Sequence, residues 1–99
     1  MLDIFSPQFK SNQNLTGTNT AQIAIINDSS SQVRVVNNGS NVVYVCTYNV
    51  AGTALVADAT DLAVFGGQST TFTKSLSDNR ISYYSPAGTT LSVMTGRGI

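Results

Sequence analysis

Cys46 is the only cysteine in the 99-residue sequence, and no histidine is available to activate its thiol as a nucleophile. Without an imidazole there is no Ser-His-Asp or Cys-His pair and no side-chain base that titrates near neutral pH. Cys46 lies in an apolar segment with no cation nearby in sequence, so we expect its thiol pKa not to be lowered. We interpret it as a small buried side chain, and a single cysteine excludes an intrachain disulfide.

The oxygen ligands and glycines do not form a recognisable metal or phosphate site either. Asp58 and Asp61 are the only local carboxylate pair, and they lack the alternating ligands and the Glu of a calcium loop. Asp commonly bonds its own backbone in turns, so this pair predicts a turn. Gly66-Gly67 precedes a predicted strand and no Lys-Ser/Thr follows, which indicates a tight turn. We therefore predict a protein that is not an enzyme and that uses no metal or cofactor.

The tyrosines are the remaining candidates for recognition. Tyrosine is enriched at interfaces, so the four could form a binding surface, although half-buried sheet aromatics are the commoner case. Tyr84 stands on the face of its strand opposite the predicted core. We expect it to be exposed or covered by a partner.

Composition excludes several classes of partner. Only 10% of the residues are charged and the net charge is zero, against about 25% charged residues in ordinary domains. Five scattered cations give no electrostatic footprint for nucleic acid. No apolar run approaches the roughly 18 residues of a membrane span, and no signal peptide is visible. Because 38 residues are Ser, Thr, Asn or Gln, the composition suits a β-rich protein whose surface is largely covered by other protein.

Residues 1–20 differ from the rest of the chain. Ile4, Phe5, Phe9 and Leu15 are irregularly spaced, and neither a period of 2 nor one of 3.6 fits them. We predict an extended N-terminal arm that docks through these apolar anchors, with a frayed terminus as the alternative. Residues 21–99 are predicted to form the folded domain.

Three β-branched segments open this domain, at residues 22–27, 32–37 and 41–48. Asn38-Gly39 separates the last two and predicts a hairpin with a two-residue turn. That register puts one set of side chains on the core face, namely Val33, Val35, Val42, Tyr44 and Cys46. A three-residue loop would instead place Val43 and Val45 with Val33 and Val35.

Residues 49–60 are open to three interpretations: a long loop, a short helical turn or a weak strand. Residues 61–65 predict a short strand. Gly66-Gly67 then turns the chain into residues 68–73, where Thr70 and Phe72 should point inward.

Pro86-Ala87-Gly88 predicts a second hairpin, between residues 80–85 and 89–95, because Pro favours a type I turn and Gly supplies the left-handed residue. In this register four large residues share one face, with Tyr83 opposite Leu91 and Ile81 opposite Val93. About seven short antiparallel strands with frequent turns predict a single all-β domain, a β-sandwich of jelly-roll or immunoglobulin-like type. A small barrel is the alternative.

Several motifs, taken in order, resemble a known family. They are Arg-Val-Val-Asn-Asn-Gly at residues 34–39 with Val-Tyr-Val at 43–45, Ala-Thr-Asp-Leu at 59–62, and Ala-Gly-Thr at 87–89 leading to Thr-Gly-Arg-Gly at 95–98. In this order the chain resembles the small β-sandwich virion proteins of tailed bacteriophages over residues 32–99. Arg97 departs from the pattern, which has an acidic or neutral residue there.

The resemblance implies a structural protein of the virion, most plausibly a decoration or cement protein on the capsid shell. Its expected partners are the major capsid protein and further copies of itself in a homo-oligomer such as a trimer. We predict that the interface uses Ile4, Phe5, Phe9, Leu15, Tyr84, Arg97 and Ile99. The alternatives are a tail, connector or fibre component, or a module that recognises a host-surface glycan or protein.

Overall fold

The structure, a computed structural model, describes residues 6–7, 12–27, 30–50, 57–58 and 61–97. These residues form nine β-strands: β1 (Ser6–Pro7), β2 (Gln13–Gly17), β3 (Gln22–Ile25), β4 (Gln32–Asn37), β5 (Val43–Tyr48), β6 (Leu62–Val64), β7 (Ser69–Thr73), β8 (Arg80–Tyr84) and β9 (Thr89–Arg97). They include no helix, and so none long enough to cross a membrane.

The strands form two antiparallel sheets. In sheet 1, β9 pairs on one side with β4, and β7 lies beyond β4. On its other side β9 pairs directly with two strands, with β2 along its first five residues and with β1 at its C-terminal end. Sheet 2 has the order β3-β8-β5-β6. From β2 onward these are the two strand orders of an eight-stranded jelly roll. The predicted all-β sandwich is confirmed, and of its two proposed types the jelly roll is the one present.

The core lies between the two sheets and is almost entirely aliphatic. Alternate residues of each strand point inward, as the two-residue period of a strand requires. Each fully buried side chain of this kind contributes about 1.5–3 kcal/mol from its removal from water. The members with the least exposure are Val33, Val35, Leu91 and Val93 from sheet 1 and Val43, Val45, Val64 and Ile81 from sheet 2.

The hairpin predicted at Asn38-Gly39 is wrong. β4 belongs to sheet 1 and β5 to sheet 2, so this turn carries the chain from one sheet to the other. Gly39 does not have the positive φ that the predicted turn requires. A Cβ atom on Gly39 would overlap the Thr89 hydroxyl, so glycine is needed here for close approach between two loops.

The core face predicted for the third segment is wrong for the same reason. Val33 and Val35 point inward as expected. On β5, however, the buried residues are Val43 and Val45. Val42, Tyr44 and Cys46, which we predicted to join the core, are only half-buried. The alternative register therefore gives the correct face, although no hairpin joins the two strands.

The hairpin predicted at Pro86-Ala87-Gly88 is also wrong in its pairing, because β8 lies in sheet 2 and β9 in sheet 1. The turn itself is as expected: Gly88 has a φ of 83° and its N–H donates to the Ser85 carbonyl at 3.1 Å. The four large residues of the prediction, Ile81, Tyr83, Leu91 and Val93, are all buried. They meet across the core instead of side by side in one sheet.

The turn at Gly66-Gly67 also connects the two sheets, from β6 to β7. Gly67 has a φ of 76°, which makes it the left-handed residue of this turn. Thr70 and Phe72 are half-buried on the inner face of β7, which confirms their predicted direction. The three interpretations of residues 49–60 fall mostly outside the described residues.

Part of the segment predicted as an arm is a strand of sheet 1. β2 pairs with β9 over its whole length, with Leu15 opposite Leu91, and Ser6 lies opposite Arg97. The Leu15 side chain is half-buried and packs against the core of its own chain. The boundary predicted at residue 20 falls in the connection between β2 and β3.

Candidate functional site

Cys46 lies on the outer face of sheet 2, opposite Ser82 of β8. Partial burial, and then the negative charges of Asp61 and Asp58, raise the pKa of its thiol from 9.0 to about 11. The pKa is not lowered, in agreement with the sequence-based expectation, and the thiol stays protonated at neutral pH. In the part of the chain that the structure describes, no three metal-ligating side chains come together.

Among the described residues, four of the six exposed large hydrophobic side chains lie on or directly beside the two edge strands of sheet 2. On β3, Ile23 is 54% and Ile25 is 66% exposed. At the opposite edge, Leu62 of β6 is 41% exposed and Phe65, directly after this strand, is 58% exposed. Neither strand contains a charged residue or a proline. We call these residues the two aliphatic edges of sheet 2.

The edges of sheet 1 are different in character. The outward residues of β7 are hydroxyl side chains, Ser69, Thr71 and Thr73, and all three are exposed. On β2 the exposed residues are Asn14 and Thr16. Edge strands with polar outer faces are the ordinary case in a soluble domain. The aliphatic character of sheet 2 is therefore a property of that sheet and not of the whole surface.

Tyr84 lies on the outer face of sheet 2 beside Tyr44. The two residues are directly opposite in the β5–β8 pair, and their rings stack with centroids 6.2 Å apart and an angle of 25° between the planes. Both rings are half-buried. A stacked pair of this kind adds about 0.5–1.5 kcal/mol beyond its buried area, so part of the Tyr84 surface is already occupied within the chain.

Most of the other predicted interface residues have side chains that the structure does not describe. Ile4, Phe5, Phe9 and Ile99 lie outside the described residues. Arg97 ends β9, and its backbone position is described while its side chain is not. Leu15 contacts the core of its own chain. The interface role of all seven residues stays a prediction. Of the predicted residues whose side chains are described, Tyr84 lies on the outer face of sheet 2 and Leu15 packs inward.

Sequence analysis missed the aliphatic edges. Their signal is present in the Ile-Ala-Ile-Ile segment at residues 23–26, which is apolar on both faces. Ala24 and Ile26 enter the core. Ile23 and Ile25 must then face outward, because successive side chains of a strand point to opposite faces. Only the strand order shows that β3 is an edge strand. The sequence alone could therefore not reveal that its outward side chains are exposed.

A buried polar network joins the loops at one end of the sandwich. The Asn37 side chain is 1% exposed. Its Nδ2 donates to the Asn41 carbonyl at 2.7 Å and to the Val64 carbonyl at 2.9 Å. Its Oδ1 accepts from the Gly39 N–H at 3.1 Å and from the Thr89 hydroxyl at 2.8 Å. One side chain thus fixes the β4–β5 connection against the start of β9.

An open groove lies at this end of the sandwich, which we call the end groove. Its volume is about 610 Å³, and residues 16–19, 39–40 and 86–90 line it. These segments come from three loops and from the strand ends beside them. The Asn41 side chain links two of the loops by donating to the Gly88 carbonyl at 2.8 Å. No lining residue is charged or aromatic.

Comparison with known proteins gives matches in structure only. No protein-family model matches the chain, and no curated protein matches it. Its fold is similar to that of PirA, with a TM-score of 0.59 at 8% identity over 89% of this chain and 95% of PirA. It is also similar to a protein of the Bacillus endospore appendages, described as a novel family of disulfide-linked pili. That TM-score is 0.52 at 19% identity, over 98% of this chain and 92% of the other.

A third similar structure is protein NMB1881 from Neisseria meningitidis, with a TM-score of 0.52 at 10% identity, over 96% of this chain and 83% of the other. Identities this low support a shared fold and carry no function by themselves. They agree with the two-sheet sandwich derived from the strand pairing.

Proposed function

We propose that this chain is a structural subunit, without enzymatic activity, that assembles with copies of itself through the two aliphatic edges of sheet 2. In the fuller form of the proposal, it decorates a bacteriophage head as a cement protein of the virion and also contacts the major capsid protein. The observation that carries the proposal is the pair of exposed apolar edges at opposite ends of one sheet, in a molecule whose other sheet has polar edges.

Exposed edge strands pair readily with other strands, and soluble proteins normally prevent this with charges, prolines or bulges. Neither β3 nor β6 contains a charge or a proline. Backbone hydrogen bonds would supply part of the affinity of an edge-to-edge contact. Burial of Ile23, Ile25, Leu62 and Phe65 would supply the apolar part.

The direction of the strands favours pairing between β3 of one copy and β6 of the next. Directions alternate across the order β3-β8-β5-β6, because each neighbouring pair is antiparallel. β6 of one copy is then antiparallel to β3 of a copy placed beside it in the same orientation. The sheet therefore continues across the interface with the antiparallel pattern that it has within one chain.

An interface between two different surfaces generates a ring when its rotation closes and a filament when it does not. A closed ring around a symmetry axis suits a protein that decorates a shell, and the sequence resemblance to phage virion proteins supports this form. The second candidate is a filament subunit. It is favoured by the same head-to-tail geometry and by the similarity in fold to the protein from disulfide-linked Bacillus pili.

Disulfide linkage through Cys46 does not suit the second candidate. The thiolate is the reactive form in disulfide exchange, and the raised pKa of about 11 keeps the Cys46 thiol protonated. The side chain is also half-buried. In either candidate, non-covalent edge pairing has to hold the copies together.

Sedimentation velocity on the full chain tests the proposal with three variants. Ile25→Lys disables the β3 edge and Phe65→Lys disables the β6 edge. Leu76→Lys is the matched control, because Leu76 is 60% exposed and lies in the β7–β8 connection, outside both edge strands. We expect the native chain and the control to form the same oligomer, and each edge variant alone to be monomeric.

Mixing the two edge variants then distinguishes a head-to-tail interface from a symmetric one. The intact β6 edge of the first variant can pair with the intact β3 edge of the second, so the mixture should give a dimer that grows no further. Equal oligomers for all variants, or a native chain that is monomeric at every concentration, would overturn the proposal. For the virion role, quantitative mass spectrometry of purified particles should find the chain in a fixed copy number on the head.

A further inference from the structure

We propose that the end groove is a binding site for a neutral carbohydrate, an activity that goes beyond the structural function proposed above. The groove volume of about 610 Å³ falls within the range of roughly 300–1,000 Å³ that is typical of small-ligand sites. It lies where the β2–β3, β4–β5 and β8–β9 loops meet. Binding sites are commonly carried on loops that a rigid scaffold positions in this way.

The charge of the lining selects the class of ligand. None of the lining residues carries a charge, so an anionic or cationic ligand would lose hydration without gaining a counter-charge. Pro86 and Ala87 are exposed and add apolar surface beside the polar residues. A neutral ligand with both hydroxyl groups and C–H surface matches this lining.

Four side chains of the lining offer hydrogen bonds that the chain itself does not use. They are the hydroxyls of Thr16, Ser40 and Thr90 and the amide of Asn19. All four residues are exposed, and within the described part of the chain their side chains make no hydrogen bond. Hydroxyl and amide groups both donate and accept. Sugar hydroxyls do the same, so each of these groups can pair with a sugar in either direction.

The groove is held in shape before any ligand binds. Thr16 lies directly opposite Thr90 in the β2–β9 pair, which fixes the backbone spacing of these two residues. The Asn38 N–H donates to the Thr90 carbonyl at 2.9 Å, and the Ser85 N–H donates to the Thr18 carbonyl at 2.9 Å. The Asn37 network fixes Gly39 and Thr89 on the opposite wall. A site ordered in advance loses little conformational freedom on binding.

The experiment is an NMR titration of the isotopically labelled full chain with a panel of neutral oligosaccharides: maltohexaose, cellohexaose, chitohexaose and mannohexaose. Sialyllactose serves as a charged sugar and a neutral Ala-Ser peptide as a non-sugar probe. We expect at least one neutral oligosaccharide to shift the amide signals of residues 16–19, 39–40 and 86–90 in a saturable manner. Sialyllactose and the peptide should leave these signals unchanged.

Two matched variants connect the binding to the groove. Thr90→Val removes one free hydroxyl and should weaken the affinity about tenfold. Thr71→Val makes the same change on an exposed outward residue of β7, outside the groove, and should leave the affinity unchanged. The proposal fails if no neutral oligosaccharide shifts the groove signals, if the two variants bind equally, or if the peptide binds in place of the sugars. Because Thr90 and Thr71 are not on the edges of sheet 2, this outcome is independent of the assembly experiment.

Discussion

Asn37 is the residue on which the end of the sandwich depends. Its buried side chain makes four hydrogen bonds, to groups in the β4–β5 connection, at the end of β6 and at the start of β9. A buried amide is stable only when its donors and acceptors are paired, because each unpaired group loses its hydration without compensation. Nothing in the Asn-Asn-Gly segment distinguishes Asn37 from Asn38, so its role could not be predicted from sequence.

Replacing Asn37 with Ala should lower the free energy of unfolding by about 3 kcal/mol, because it leaves several buried partners unpaired. Asn38→Ala is the matched control. The Asn38 side chain is exposed and bonds only the Ser92 hydroxyl, so its loss should cost less than about 1 kcal/mol. Urea denaturation of both variants measures the difference. Equal losses of stability would contradict the role assigned to Asn37.

Cys46 should make the stability of the domain depend on alkaline pH. Its thiol pKa is raised from 9.0 to about 11 in the folded chain, so the folded state favours the protonated form. This contribution to stability is fully present below pH 9 and is lost as the pH rises through about 11. We expect the free energy of unfolding of the native chain to fall over this range more steeply than that of Cys46→Ala.

The native chain has to be compared with Cys46→Ala because burial also raises the pKa of Tyr83. Tyr83 contributes equally to both chains, so their difference isolates the thiol. Denaturant unfolding at about pH 8 and about pH 10.5 compares a pH below the expected change with one well inside it. An identical pH dependence for the two chains would show that the Cys46 environment is not as described.

At the level of the elements, sequence predicted the strands and the turns better than the connections. Gly88 has the positive φ predicted for its turn, a turn is present at Gly66-Gly67 as predicted, and the bounds predicted for β4 are those observed. The predicted strand pairings were wrong because a turn signal indicates a change of chain direction but not which sheet the chain enters next. In this jelly roll, from β2 onward, only β5 and β6 are consecutive strands of the same sheet.

For the same reason the sequence could not predict the two candidate sites, because both depend on how distant segments are arranged. The end groove is built from three loops that are distant in sequence, and the aliphatic edges are defined by strand order. Neither feature has a local signature. Composition bears on the edges only in general terms, because a chain with 10% charged residues has few charges that could protect its edge strands.

Leu15 gives a test of β2 as a strand of the domain. Its side chain packs against the core beside Leu91, so Leu15→Ala should lower the free energy of unfolding by about 2 kcal/mol. Thr16→Ala changes the next, outward-facing residue of the same strand and should cost less than about 0.5 kcal/mol. Thermal or urea denaturation compares them. If the two variants were equally stable, residues 13–17 would be an arm that contributes nothing to the folded domain.

At the scale of the whole molecule, the two sheets are suited to different surroundings. Sheet 1 has exposed hydroxyl and amide groups along its edges, which are readily hydrated. Sheet 2 has an aliphatic edge on each side, and burial of these edges by a second protein is favourable. With zero net charge, little electrostatic repulsion opposes the approach of two copies. This asymmetry supports the proposed assembly through sheet 2.

Hydrogen exchange at the edges of sheet 2 tests this account most directly. The Ile26 N–H donates to the Asn79 carbonyl on the β8 side. Because alternate residues of an antiparallel edge strand face away from their partner, the Ile23 and Ile25 amides point to the free edge. We predict that these amides exchange rapidly in dilute solution and become protected as the concentration rises, while the amides of β7 do not change. Rapid exchange of the β3 edge in a preparation that sedimentation shows to be oligomeric would contradict it.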